Sequence, residues 1–412
     1  MKLPQAHLTT LPNGLRLVCL QYHGVGAGVF GITVGAGSAD EGPGHYGLAH
    51  LVEHTIFKGT LRRRPWHIIN RMEAVGGELN AFTTKEETTV YTIFPQGNAA
   101  RAIELVADLA INSQFPANEL DKEREVVIDE INSYRDTPSE AVYDDFEDMV
   151  YAGTPAGHNI LGSADSVAAL GSDDCREFLR RHYTVANSVV FYSGPQAPEH
   201  IAALVARHFA ALPAGTKKTC TKSYGFRYEN REEIIDGLHQ SHVILGMEID
   251  SLYGAGRYAD GLFSNLIGGP GMNSLLNVEL RERRGLVYTV ESSVTRFTSG
   301  GLMTIYFGCD AEDTARCIDL CRRTAQKLAD MPTARLESRL RQAKRQWLGQ
   351  LAIASENREN RIMGLAREVL YTGHNTTDIE TTERIEAITA EEIRQRASRL
   401  IKPAHLIYKP SI

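Results

Sequence analysis

The chain has 412 residues, of which 42% are hydrophobic and 23% charged, and a formal net charge of −7. At roughly 100 to 200 residues per domain, this length accommodates two or three domains with real cores, and the ordinary composition excludes long disordered segments. The acidic balance excludes nucleic acid as the main partner, because neutralising phosphates takes a basic surface.

Met1 to Leu20 carries neither a charged region leading into an apolar stretch and a small-residue cleavage site nor an Arg/Ser-rich, acid-free pattern, so mature cytoplasmic sequence is the expectation. No window approaches the roughly 18 uninterrupted apolar residues of a membrane span. Even Ile201 to Leu212 has Arg and His inside it, and no membrane partner is expected. Leu15 to Gln21 and Ala27 to Gly35 read as β-rich segments, and their short connection favours antiparallel pairing of the two. Gly47 to Phe57 reads as a helix and Thr88 to Phe94 as a β-branched and aromatic strand. Residues 99–113, 117–135 and 173–182 follow as helices with apolar residues at three- and four-residue intervals. Such a mixture, with consecutive strands, falls in the α+β class.

The pattern is written twice. Thr92-Ile93-Phe94 and Ala100 to Leu105 recur as Thr304-Ile305-Tyr306 and Ala315 to Leu320. Phe115-Pro116 recurs as Met331-Pro332, and Gly157-His158-Asn159 as Gly373-His374-Asn375, with offsets between 212 and 216 residues throughout. Matches in order at nearly constant spacing identify a duplicated unit, each copy within the usual size of a domain. The join is expected in the breaker-rich stretch from Pro213 to Thr219. This gives a first domain at 1–212, a linker at 213–222 and a second, homologous domain at 223–412, each a mainly antiparallel sheet packed with helices.

Within the 47–57 helix, His50, Glu53 and His54 form an HxxEH pattern. Two imidazoles four residues apart, about one helical turn, point to the same side and can grip one ion. A carboxylate three residues after the first His projects near that ion without having to ligate it, where it can hold and deprotonate a water. The plainer alternative is a surface helix with titrating histidines, against which stand the apolar Leu48, Leu51, Val52 and Phe57 around the cluster. A two-His site needs a third protein ligand. On the 117–135 helix, Glu123 and Glu130 lie two turns apart on one face with Leu120, Val127, Ile131 and Tyr134. Acids in an apolar stripe are costly unless paired, and either a bound cation or an ordinary salt bridge would pair them. The six cysteines lack CxxC-type pairs and read as reduced, buried thiols, although Cys317 and Cys321 share a helical face.

Together these residues resemble the pitrilysin-like or insulinase-like zinc peptidases, the inverzincins that include the mitochondrial processing peptidases. The matching text starts at Gly37-Ser38-Ala39-Asp40-Glu41 and runs through Gly47 to His54 into Phe57-Lys58-Gly59-Thr60. It continues with Gly76 to Thr83 and Tyr91, and reaches Glu123 and Glu130, the latter 76 residues after His54. In the second half, Gly268-Gly269-Pro270-Gly271 and Arg281 to Tyr288 are similar to the family's C-terminal substrate-contacting segment; taken alone they read as a Gly-rich turn and a solvated basic run.

The resemblance implies a zinc-dependent endopeptidase with one Zn2+ per chain held by His50, His54 and Glu130. It gives Glu53 the part of general base and Glu123 that of orienting a ligand, while Arg281 and Tyr288 reach the bound peptide. The strand at Asn80, Ala81 and Phe82 is expected to add the peptide as an extra strand. Aligning Pro116 with Pro332 puts Glu123 opposite Arg339 and Glu130 opposite Gln346. Only the first copy is therefore expected to hold the ion, with the second a wall of a substrate chamber that closes as a clamshell. Half-sized members of the family pair up; a zinc site and an Arg/Tyr pair on one chain favour a homodimer over a heterodimer with a related chain. Other relatives serve as noncatalytic or partner subunits, against which the complete ligand set argues.

Overall fold

The structure, a computed structural model, describes residues 4–216 and 223–411. The expected linker at 213–222 lies mostly outside the described residues, as does Cys220. The fold is α+β. Its first sheet contains β1 (Ala6–Thr10), β2 (Arg16–Gln21), β3 (Ala27–Val34), β4 (Glu78–Thr83), β5 (Thr88–Pro95) and β6 (Ser188–Gly194), in the order β1-β2-β6-β3-β5-β4.

The expected pairing of β2 with β3 does not occur: β6 lies between them, parallel to β2 and antiparallel to β3. Burial gives the reason. β6 is buried at all seven of its residues and β3 at seven of eight. Strands that read as continuous apolar runs need neighbours on both edges and cover on both faces, and insertion between β2 and β3 gives β6 both.

The second sheet contains β7 (Asn230–Ile235), β8 (Ser241–Glu248), β9 (Val287–Phe297), β10 (Gly300–Cys309) and β11 (Ala404–Pro410), in the order β7-β11-β8-β10-β9. Here β11 is inserted between β7 and β8 with the same pair of orientations. The order repeats β2-β6-β3-β5-β4 strand for strand, in keeping with the duplicated sequence.

The chain folds into two compact units. One comprises residues 4–132, 158–216 and 354–377, the other 133–157, 223–353 and 378–411. Each unit thus includes one helix from the opposite half of the chain. Pro138–Val150 packs on β8 and β11, and Arg358–Thr372 packs on β2, β3 and β6. These helices are equivalent in the repeat, since each ends shortly before a Gly-His-Asn. The boundaries 1–212 and 223–412 remain our proposal for the duplicated halves in chain order.

In the first unit, the Arg358–Thr372 helix packs across one face of the sheet, on β2, β3 and β6. Its Ile362, Ala366, Val369 and Leu370 fall on one stripe and cluster with Val18, Leu20, Val29, Val189 and Phe191. The Arg16 guanidinium fixes the helix end by donating to the Val369 carbonyl at 2.7 Å. In the second unit, Gly246 of β8 faces the Phe146 ring of the Pro138–Val150 helix, where any Cβ would collide. That unit's core gathers Val243, Leu245, Phe263, Ile305, Phe307, Cys317 and Cys321. The five described cysteines are all free and buried.

Because Ile362 is fully buried against the first sheet, Ile362→Ala is expected to lower the unfolding free energy by about 2 to 5 kcal/mol through lost burial and a residual cavity. Denaturant unfolding of the full chain measures it. A loss within error of zero would mean that the helix does not close that face.

Candidate metal centre

The helix Leu48–Thr55 starts at Gly47, whose φ of 92° is left-handed and suits only glycine. A Cβ at this position would also strike the Leu161 carbonyl. Eight residues are too few for a helix that is stable alone. Burial of Leu48, Ala49, Leu51, Val52 and Thr55 holds it instead, against the Ser172–His182 helix and β4.

His50 and His54 stand on its one free side, with ring centroids 4.6 Å apart. Above them the helix Ala117–Arg135 turns Leu120, Val127 and Ile131 inward. Its Glu130 Oε2 lies 3.4 Å from His54 Nε2 and 3.8 Å from His50 Nε2. Ligand atoms of His50, His54 and Glu130 all lie within 4.8 Å of one another, a grouping of His, Cys, Asp or Glu found once among the described residues.

The electrostatics suit a cation. Burial, with His54 beside it, pulls the His50 pKa down to about 3. The ring is therefore neutral across the physiological range and offers a lone pair rather than a proton. Two imidazole nitrogens and a carboxylate oxygen are also the donor set of an open, catalytic type of zinc site. The residues fit the ion.

Glu53, on the same helix, is pushed above the ordinary carboxylate range by burial and by Glu130, while a hydrogen bond with Thr83 and the nearby His54 act in the opposite sense. Glu123 stands behind His54: its Oε2 lies 3.3 Å from His54 Nδ1 and its Oε1 2.7 Å from Lys58 Nζ. A carboxylate at this ring nitrogen fixes the tautomer that leaves Nε2 as the acceptor.

Asn80, Ala81 and Phe82 occupy β4, the edge strand of the first sheet, paired only with β5. Arg281 and Tyr288 belong to the second unit. Arg281 sits in the short π-helix Asn277–Glu282, its guanidinium carbon 5.6 Å from the centroid of the Tyr288 ring. Tyr288, near the start of β9, is 85% exposed.

Two residues that sequence reasoning missed now join the site. Lys58 lies four residues after His54, a spacing that could have marked it as a neighbour. Thr83 reaches Glu53 only through strand pairing, which no local pattern announces.

The model of the insulinase family, peptidase family M16, matches residues 21–164, and that of the peptidase M16 inactive domain matches residues 169–344. An uncharacterized zinc protease of Mycobacterium tuberculosis is 33% identical over 398 residues, covering 95% of this chain and 90% of the relative. The mitochondrial-processing peptidase subunit beta of Blastocladiella emersonii is 25% identical, covering 97% of this chain and 87% of the relative. Among solved structures, a peptidase M16 inactive domain from Pseudomonas fluorescens is similar in fold, with a TM-score of 0.89 at 19% identity over 99% of this chain and 98% of that one. On the two family matches and the relative at 33% identity, the chain belongs to peptidase family M16, the insulinase family.

Proposed function

We propose that the protein is a zinc-dependent endopeptidase that hydrolyses peptides or unfolded segments, with one zinc ion per chain held by His50, His54 and Glu130. The observation that carries this reading is the convergence of His50 Nε2, His54 Nε2 and Glu130 Oε2, with Glu53 on the same short helix. Zinc, when bound, supplies a Lewis acid that polarises a carbonyl and acidifies water.

The protein's own groups do the rest. Glu53 holds the attacking water, takes its proton and passes it to the leaving amine; a pKa raised by burial makes it a better base than an exposed carboxylate. Glu123, braced by Lys58, keeps the His54 ring in its ligating orientation. β4 offers an unpaired edge at Asn80, Ala81 and Phe82 along which a peptide backbone can pair, a mode that reads shape more than sequence. Arg281 binds a substrate carbonyl and Tyr288 donates to the developing oxyanion; the resemblance of their segment supports these two roles, as does the exposure of Tyr288.

A cytoplasmic location and a homodimer, with a heterodimer as the variant, belong to the same reading. Among the described residues no helix is long and apolar enough to cross a membrane. The noncatalytic alternative is disfavoured because ligands and base are all present.

Purified protein is expected to carry about one zinc per chain, and His50→Ala to carry almost none, because removing one of three protein ligands leaves too few to retain the ion. Elemental analysis of both decides it, and full occupancy in the variant would place the ion elsewhere.

Glu53→Gln keeps the side chain's size and removes the base. Zinc content should stay at the wild-type level while peptide hydrolysis falls by at least about a hundredfold. Undiminished turnover would end the proposed role for Glu53.

Tyr288→Phe removes one hydroxyl from an exposed ring. Turnover should drop about tenfold or more, with zinc content and melting temperature unchanged. Wild-type kcat and KM would end the proposed role for Tyr288.

A further inference from the structure

The helix that carries His50, Glu53 and His54 lacks a cap of its own, since Gly47 at its N-cap has no side chain. The first N–H groups of any helix have no partner within it and must find one elsewhere. Here the partner is Glu41. Its Oε2 accepts from the Gly47 N–H at 2.9 Å and its Oε1 from the Ala49 N–H at 2.7 Å. Both oxygens are thus spent on the turn that ends at His50, at the positive end of the helix dipole.

The Glu41 side chain is 0% exposed, so its orientation cannot relax into water. His158 fixes it. The ring's Nε2 lies 3.2 Å from Glu41 Oε2 and 3.1 Å from the Ser38 carbonyl oxygen. Both neighbours are acceptors, so Nε2 carries the proton and donates. The ring stacks on Tyr46 at a centroid distance of 4.1 Å, and Lys85 donates from its ammonium to the His158 carbonyl. The backbone around Glu41 is tied down as well: Ser38 N–H donates to the Thr84 carbonyl at 3.1 Å and Ala39 N–H to that of Lys85 at 2.7 Å. These carbonyls belong to the turn between β4 and β5, where Arg367 meets Glu87 at 2.9 Å.

We infer that Glu41 is a positioning residue of the metal centre: it clamps the first turn of the ligand helix and so sets where His50 stands relative to Glu130, with His158 holding the clamp. The inference rests on the metal reading above. A residue that orients a ligand typically changes metal affinity about 10- to 100-fold when removed.

The test uses the full chain and compares wild type, His50→Ala, Glu41→Ala, Glu41→Gln and Ile362→Ala, the last weakening the same unit from the opposite face of its sheet. Zinc affinity is read by competition with a chelator, ligand geometry from the absorption of the Co2+-substituted protein, and amide exchange at Gly47 and Ala49 in the metal-free protein. Glu41→Ala should weaken zinc by about 10- to 100-fold, shift the cobalt bands and speed exchange at both amides. Glu41→Gln, which retains one acceptor oxygen, should fall between it and wild type, and Ile362→Ala should bind zinc as wild type does.

If Glu41→Ala does not fold, Glu41→Gln carries the test. Wild-type affinity and cobalt spectrum in the folded Glu41 variants would overturn the inference, as would a loss no larger than that of Ile362→Ala. A wild-type chain without zinc affinity, or His50→Ala retaining it, would overturn the metal reading instead. In that case unchanged amide exchange in the Glu41 variants would dispose of the clamp too, while faster exchange would leave the clamp standing without its metal.

Discussion

Two imidazoles and a carboxylate that turn their acceptor atoms to one point repel one another until something positive stands between them. In this protein His50, His54 and Glu130 are held in that arrangement, with His50 too buried to relieve it by taking up a proton at neutral pH. Much of the first unit can be understood as what keeps this arrangement from relaxing. A two-turn helix could not do so unaided. Its start is taken by Glu41, its His54 by Glu123 with Lys58, and its apolar side by a neighbouring helix and the edge of the sheet. Each support replaces a freedom that water would otherwise offer.

The sheet beneath can be rigid because both of its faces are covered, and half of that cover comes from far along the chain. A chain ending at residue 212 would leave Val18, Leu20, Val29, Val189 and Phe191 without the Arg358–Thr372 helix. That is a continuous apolar face of the kind that aggregates. Arg367 on the same helix pairs with Glu87 in the turn that follows β4, so the element that completes the core also meets the β4–β5 hairpin. Closure of the core and the contact with the hairpin thus come from one helix, although the sequence separates it from His50, His54 and Glu130 by more than two hundred residues.

What could be read in the sequence follows from how local its cause is. Histidines at i and i+4 and acids two turns apart on an apolar stripe are geometric facts of a helix, so the cluster of His50, His54 and Glu130 was legible in the sequence. The duplication was legible because equivalent strands keep equivalent residues. The place of β6 was not: an apolar run shows that a strand is central without saying which neighbours it separates, and the short β2–β3 connection pointed to a hairpin. Nor was the helix exchange, since the stripe of Ile362, Ala366, Val369 and Leu370 demands an apolar surface without naming one. Glu41 stood in plain sight within the Gly37–Glu41 segment. Its role depends on a loop folding back and on His158, 117 residues away, and neither leaves a periodic trace.

The second copy of the fold shows what the scaffold does when the charge problem is removed. In the repeat Gln346 stands opposite Glu130, and it exchanges two hydrogen bonds with Asn273, donating to the Asn273 Oδ1 at 3.1 Å and accepting from its Nδ2 at 2.9 Å. An amide pair of this kind satisfies itself, whereas a carboxylate facing two imidazoles does not. The segment Gly261 to Gly269 brings no histidine to oppose it, and that segment lies within the match to the peptidase M16 inactive domain. Neutral, mutually bonded side chains at Asn273 and Gln346 leave no carboxylate at the position equivalent to Glu130. The same strand order therefore supports a cluster of two imidazoles and a carboxylate in one unit and a closed polar contact in the other, and the difference comes down to a few side chains whose acceptors either meet donors or meet each other.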